Sequence, residues 1–239
     1  MQKFFKHWKN VFVFMSEKKD GSMGRAKERE RTRIFKNRQV FFKRNKIDPK
    51  KAVMAQLQHG NRVGIVKATG IGTYPAVDGL VTEMGGVCLC VTAADCGIVY
   101  FYEQDSRVIG ICHAGWRGIA SGIVLETVKK MGLLGADAGK IKAMISPMIG
   151  KCCFKTKKDT ADIFISLGFL KNVVRRKKEI FVDLAGVIRR QSLESGIKAE
   201  NLKIHKDCTC CKNDKYFSYR AGRGKLKGVM IGGIRQKIR

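Results

Sequence analysis

Apolar and polar positions fall into short blocks along this chain, and the blocks predict elements one at a time. VFVFM, Val11–Met15, reads as a short apolar strand, and a polar glycine-containing loop, SEKKDGSMG, follows it. A basic helical stretch runs through KNRQVFFKRN. Between Lys51 and Lys67 two short strands bracket QLQHGNRV, where the Gly60-Asn61 pair supplies a turn. GIGTYPAVDGLVT reads as a loop followed by a strand. Its G-x-G lacks both the third glycine and the strand context of a dinucleotide fingerprint.

The middle of the chain is the most regular. VCLCVTAADC is an apolar strand running into a loop, GIVYFYE is a second strand, and RVIGICHAG is a third that ends at Gly115. GWRGIASGIVLETVKKMG then has helical spacing, with Ile119, Ile123, Val124, Val128 and Met131 near one face and Gly132 in the place of a C-terminal cap. A further helix is predicted from Asp183, a good N-cap for LAGVIRRQSLES, up to Gly196. The last quarter holds the cysteine-rich DCTCCKND, a strand-like YFSYR, a Gly/Lys turn and a closing strand, VMIGGI. Strands and helices mix without strict alternation and without an internal repeat. The expectation is an α+β fold, a single layered domain of mixed β-sheets flanked by helices. Residues 1–10 read as a basic N-terminal extension and residues 11–239 as one domain.

Composition adds a sign to this picture. The 239 residues carry 48 Lys+Arg against 20 Asp+Glu, a formal net charge of +28. Residues 1–51 hold 17 basic and 5 acidic side chains, residues 52–150 hold 8 and 7, and residues 151–239 hold 23 and 8. The excess belongs to the flanks, and the middle is nearly neutral. Such a surface attracts nucleic acid, anionic lipid or phosphorylated small molecules, or is only a solvated surface. No stretch interleaves aromatics with the charges as a surface that stacks single strands would. No apolar run approaches the ~18 residues of a membrane helix, and no cleavage pattern follows the basic N-terminus, so a soluble cytoplasmic protein without membrane partners is expected. Nine cysteines, an odd number, then read as reduced thiols, some of them metal ligands or nucleophiles.

Only four histidines occur, and two lie at strand ends: His59 in QLQHG and His113 in GICHAGWRG. Cys96 ends the strand in TAADC. Two imidazoles and one thiolate are a good ligand set for Zn²⁺, and three protein ligands leave the fourth tetrahedral position open, as in a catalytic site. The separations, 37 and 17 residues, are too long for a zinc finger and leave buried structural thiols and a satisfied core histidine as alternatives. In HAGWRG, a tight glycine turn leads from the strand into a helix whose first turn carries Trp116 and Arg117. Free N–H groups and a guanidinium there suit an anion. Trp116 could stack on a planar ligand or simply pack.

TAADCGIVYFYEQDSRVIGICHAGWRG resembles the signature of the laccase-domain family, first called multi-copper polyphenol oxidoreductases and now described as zinc-dependent purine nucleoside phosphorylases. QLQHGNRV is similar to the family's Q-x-H-G segment, AVDGLVT to its ADA-like strand and SPMIGKCCF to a GP-x-I-G-x-C-C-Y element. FVDLAGVIRRQSLESGI resembles a D-L-x(n)-G-I helix, DCTCCKNDKYFSYRAGRG a C-T…F-F-S-Y-R-x-x-G segment, and Asn37-Arg38 an N-R pair. The likeness runs over roughly residues 11–234. It implies metal ligands at His59, Cys96 and His113. It also implies phosphorolysis of adenosine, inosine, guanosine and methylthioadenosine to free base and ribose 1-phosphate (from methylthioadenosine, the methylthio sugar phosphate), and hydrolytic deamination of adenosine. Arg38, Arg117 and Arg220 could then hold phosphate as charge-assisted donors. Copper-dependent oxidation of phenols is the competing activity, though separate copper centres need more than four histidines. A basic nucleic-acid-binding protein without catalysis is the reading from another class.

Some positions depart from that pattern. The loop FMSEKKDGSMG puts lysine at about Lys18 or Lys19 where arginine is expected, and lysine cannot grip phosphate bidentately. Ser146 stands where glycine is usual. Gly97 follows Cys96 where bulkier residues are common, an exchange expected to open room beside the metal. Cys88 and Cys90 share one strand face and should pack as small hydrophobes. Cys152-Cys153 is too tight for a mutual disulfide. His205, Cys208, Cys210 and Cys211 invite a second-metal reading, against which C-x-C-C leaves little chain to wrap a tetrahedral ion. Cys208 matches a family position and could line the pocket.

Overall fold

A computed structural model describes residues 8, 10–24 and 30–237. Its strands are β1 (Val11–Met15), β2 (Ala52–Ala55), β3 (Val63–Ile65), β4 (Thr73–Tyr74), β5 (Gly79–Thr82), β6 (Cys88–Ala93), β7 (Gly97–Tyr102), β8 (Ile109–Ala114), β9 (Lys142–Ile145), β10 (Lys155–Thr156), β11 (Val173–Arg176), β12 (Glu179–Val182), β13 (Leu202–Ile204) and β14 (Met230–Gln236). The α-helices are α1 (Arg31–Arg44), α2 (Trp116–Ala120), α3 (Ile123–Gly132), α4 (Lys158–Ser166) and α5 (Leu184–Glu194). One sheet has the order β1-β14-β6-β2-β4, a second β13-β9-β7-β8-β5-β3, and a small third β10-β12-β11. The first two mix parallel and antiparallel pairs, so the fold is α+β with mixed sheets.

Burial explains why the central strands are apolar at almost every position. Leu89 and Val91 of β6 face Ile98 and Tyr100 of β7 and Ile111 of β8 in a core between the two large sheets. On β6 the alternate residues Cys88 and Cys90 point the other way, against Phe41 and Phe42 of α1. On the second sheet Val99, Phe101 and Cys112 point outward to Ile123 and Val128 of α3, Phe164 of α4 and Val187 of α5. Strands covered on both faces need no polar alternation. The layers are thus α1, five-stranded sheet, six-stranded sheet, and the other helices. Trp8, which falls in the stretch read as an extension, packs into the inter-sheet core 5.9 Å from the ring of Tyr102. Residues 1–7 and 9 of that stretch lie outside the described residues.

The two sheets approach closely at Gly232, where a Cβ would stand 2.4 Å from the Tyr100 hydroxyl. Through that gap the buried hydroxyl donates to the Phe14 carbonyl at 3.0 Å, so the core keeps a satisfied polar tie between its layers.

Three local expectations are corrected. The single helix expected over GWRGIASGIVLETVKKMG is two, because Gly122 takes φ 79° and breaks the helical path. Gly132 lies inside the last turn, and the left-handed residue beyond it is Gly135, φ 86°. YFSYR is a series of turns, because Tyr216 and Phe217 fold inward to the core instead of pairing with a strand. Residues 205–229 therefore connect β13 to β14 without helix or strand.

Candidate metal centre

His59, Cys96 and His113 come together at one edge of the inter-sheet core. One ligand atom from each lies within 4.8 Å of the other two, a spacing that one ion can bridge. His113 is on β8, His59 is in the turn after β2, and Cys96 is in the tight connection from β6 to β7. The imidazole rings meet edge to face, centroids 4.8 Å apart. Exposure is graded: His113 is buried, Cys96 half-buried and His59 exposed, so the cluster opens to solvent on the His59 side.

Asp78, fully buried just before β5, organises both histidines. Its carboxylate accepts the backbone N–H groups of Gln58 at 3.1 Å, His59 at 2.9 Å and Gly60 at 2.8 Å. Those bonds hold His59 at φ 60°, a left-handed conformation that costs a non-glycine residue about 1 kcal/mol or more unless its surroundings fix it. The same carboxylate lies 3.1 Å from His113 Nδ1, which leaves Nε2 for the Cys96 side of the cluster. A Cβ at Gly115 would stand 3.2 Å from both Cys96 Sγ and His113 Cε1, so only glycine leaves the space in front of the three side chains clear.

Electrostatics follow the geometry. Burial opposes a charge on the His113 ring, but the Cys96 thiolate and the Asp78 hydrogen bond outweigh it and raise its pKa to about 9. His59 shifts the other way, through burial and the nearby His113 charge, and stays a neutral ligand. Burial pushes the Asp78 carboxyl up, yet the His113 and backbone hydrogen bonds hold it below the usual range. A cation held by these side chains would have to displace the proton that His113 keeps at neutral pH.

Asp95 sets the position of Cys96. It precedes Cys96 at φ 75°, accepts the Thr209 hydroxyl at 2.7 Å on one oxygen and the Arg220 backbone N–H at 2.7 Å on the other. Its own carbonyl accepts the Ile149 N–H at 2.8 Å. Neither Asp78 nor Asp95 is prominent in the sequence. The available signal is an aspartate beside a turn, in VDG and AADC.

The three arginines are placed differently. Arg117 is exposed, stacks on Trp116 with Cζ 4.4 Å from the ring, and its charge helps to depress the His59 pKa. Arg220 reaches the Cys153 carbonyl at 2.7 Å and lies over the Phe154 ring. Arg38, on α1, donates Nε to the Met23 carbonyl at 2.7 Å, and burial lowers its pKa. Trp116 packs half-buried against the helical core layer. Its helix, α2, has only five residues, too short for the long helix N-terminus that the sequence suggested as an anion site.

Other expectations near the site change as well. The space left by Gly97 is filled by Met148, whose Sδ would be 3.0 Å from a Cβ there, so it opens no room beside the ligands. Ser146 accepts the Ile98 N–H on its buried hydroxyl at 2.9 Å. Lys18 braces the Asn213 carbonyl at 2.8 Å, and Lys19 pairs with Glu17 at 3.3 Å. Cys88 and Cys90 are buried neighbours, as expected. His205 accepts the Asp207 N–H on Nδ1 at 3.1 Å and is not among the clustered thiols.

Such a fold, with a three-ligand cluster at the edge of two packed mixed sheets, defines the class. The chain belongs to the family described as multi-copper polyphenol oxidoreductase laccase, whose family model matches residues 15–237. It is 33% identical over 165 residues to a purine nucleoside phosphorylase of Bacteroides thetaiotaomicron, a match covering 65% of this chain and 61% of that protein. It is 28% identical over 203 residues to adenosine deaminase RL5 of an unknown prokaryotic organism, covering 80% and 77%. Among solved structures it resembles the hypothetical protein YfiH of Bacillus licheniformis, with a TM-score of 0.87, 27% identity, and coverage of 95% of this chain and 93% of that one. No helix among the described residues is long and apolar enough to cross a membrane.

Proposed function

We propose that this chain is a zinc-dependent purine nucleoside phosphorylase, acting on adenosine, inosine, guanosine and methylthioadenosine, with adenosine deaminase activity at the same centre. The observation that carries the proposal is the meeting of His59, Cys96 and His113 within 4.8 Å, with Asp78 holding both histidines. The names of the relatives support the reaction class.

The donor set fits one zinc ion. Two nitrogens and one thiolate sulfur are borderline-soft ligands, and the exposed His59 side leaves a position for substrate. When bound, zinc would supply Lewis-acid charge or a water acidic enough to ionise near neutral pH. Among the described residues, His59 and His113 are the two imidazoles in the cluster, which supports a single centre over several copper ions.

In phosphorolysis a phosphate oxygen bonds to the ribose C1′ as the glycosidic bond breaks and its electron pair leaves with the base. In this reading Arg117, fixed on Trp116 beside His59, and Arg220, fixed through Asp95 beside Cys96, neutralise the phosphate. Arg38, with Nε committed to Met23, keeps only its terminal nitrogens for an anion. Asp78 does not touch substrate; it orients the two imidazoles.

A nucleoside panel with and without phosphate tests the proposal. Release of free base only with phosphate, and ammonia from adenosine without it, is the expected pattern. Neither product from any purine nucleoside with the zinc-loaded protein overturns it.

A further inference from the structure

A second cluster of metal-type ligands lies apart from His59, Cys96 and His113. Cys152 and Cys153 follow β9, Cys208 and Cys211 follow β13, and their four sulfurs lie within 4.8 Å of one another. We propose that these four thiols form a second, structural zinc site that staples the 147–154 turn to the long 205–229 connection.

The geometry favours a metal over a disulfide. Cys211 Sγ is 3.5 Å from Cys152 Sγ and 3.4 Å from Cys153 Sγ. A disulfide can satisfy one of those two neighbours and must leave the other. A tetrahedral ion satisfies both, and with Zn–S bonds of about 2.3 Å the sulfurs stand about 3.8 Å apart. Each segment supplies two ligands from opposite sides, so the short C-x-C-C spacing need not wrap the ion by itself. Cys210 packs against the outer hydrophobic layer and is not one of the four.

Backbone geometry lets the 147–154 turn close on the sulfurs. Gly150 donates its N–H to Cys208 Sγ at 3.2 Å, and a Cβ on Gly150 would press 3.2 Å from Cys152 Sγ. That turn passes close to the sulfurs because it has no side chain there. A four-thiolate zinc site carries net negative charge. Lys151 and Lys212 flank the ligands in the chain, and Arg220 holds the Cys153 carbonyl at 2.7 Å.

A staple here has a consequence at the first centre. Both joined segments anchor on Asp95: Ile149 on its carbonyl, Thr209 and Arg220 on its carboxylate. Asp95 precedes Cys96. The 205–229 connection has neither helix nor strand.

Metal analysis of the full chain, purified reduced with zinc, tests the site. Two zinc ions per chain are expected, one remaining in Cys96→Ala and one remaining in Cys152→Ser/Cys211→Ser. Cobalt in the Cys96→Ala protein should give intense sulfur-to-metal charge-transfer absorption, and a mercurial should release its zinc over four thiol equivalents. No zinc in Cys96→Ala, or a disulfide at Cys211 in the protein as isolated, overturns the proposal. One zinc in both wild type and Cys96→Ala supports this site and instead sinks the His59–Cys96–His113 reading. Should the double variant not fold, wild type and Cys96→Ala still decide.

Discussion

Asp78 and His113 are tied twice. The carboxylate stands 3.1 Å from the imidazole Nδ1, and the His113 backbone N–H donates to the Asp78 carbonyl at 2.7 Å. Two contacts on adjacent strands fix both the ring and the chain that carries it. The same carboxylate closes the turn that presents His59, so one buried charge positions both histidines.

Asp78→Asn removes that charge and turns an amide N–H₂ either toward the N–H groups of Gln58 and Gly60 or toward that of His59. Zinc affinity should fall about 10- to 100-fold, measured by competition with a chromophoric chelator. An affinity within twofold of wild type would show that the carboxylate does not orient the ligands.

Gly118 permits α2 to approach the His59 turn: a Cβ there would be 2.6 Å from the Gly60 carbonyl oxygen. Gly118→Ala should lower stability by about 1–3 kcal/mol and reduce zinc content. Gly132→Ala is the control, since nothing lies within 4 Å of its Cβ and helix propensity should raise stability by about 0.5–1 kcal/mol. Thermal unfolding with metal analysis checks both, and equal effects would contradict the close-approach argument.

The grouping of His59, Cys96 and His113 was legible in the sequence because each stands where an apolar block ends beside a turn. Asp78 was not, since nothing in AVDG says which backbone amides will gather around its carboxylate. The thiol cluster was half legible. Cys152-Cys153 and C-x-C-C were visible as separate oddities, but residues so far apart in sequence carry no sign of their contact, and His205 was drawn in only by proximity along the chain. Helical spacing misled at Gly122 because the apolar face continues across a break that backbone conformation decides. YFSYR misled because aromatic residues that fold into a core from a loop look like those of a strand.

Ser146 supplies the acceptor for the Ile98 N–H and donates to the Pro147 carbonyl at 2.9 Å. Ser146→Ala leaves a buried N–H without that partner and should cost about 1–3 kcal/mol, read as a lower denaturation midpoint in urea. An unchanged midpoint would mean that the strand relaxes to another acceptor.

Glu103, 2% exposed, accepts the Asp105 and Ser106 N–H groups at 2.8 Å each and the Ser106 hydroxyl at 2.5 Å. Burial raises its pKa, but these hydrogen bonds outweigh that and hold it below the ordinary 4.5. Its contribution is therefore present above pH 4.5 and lost as pH falls through the lower folded value. Glu103→Gln should cost about 1–3 kcal/mol at neutral pH and remove that part of the acid loss. Urea unfolding across a pH series measures it, and parallel curves for the two proteins would refute the assignment.

The most direct measurement compares wild type and Cys96→Ala side by side, for zinc content and for phosphate-dependent release of hypoxanthine from inosine. Wild type should bind zinc at the His59–Cys96–His113 centre and release hypoxanthine. Cys96→Ala should lose one zinc per chain and the turnover together. Equal zinc content in the two proteins, with turnover unchanged in Cys96→Ala, would contradict a metal centre at these three residues.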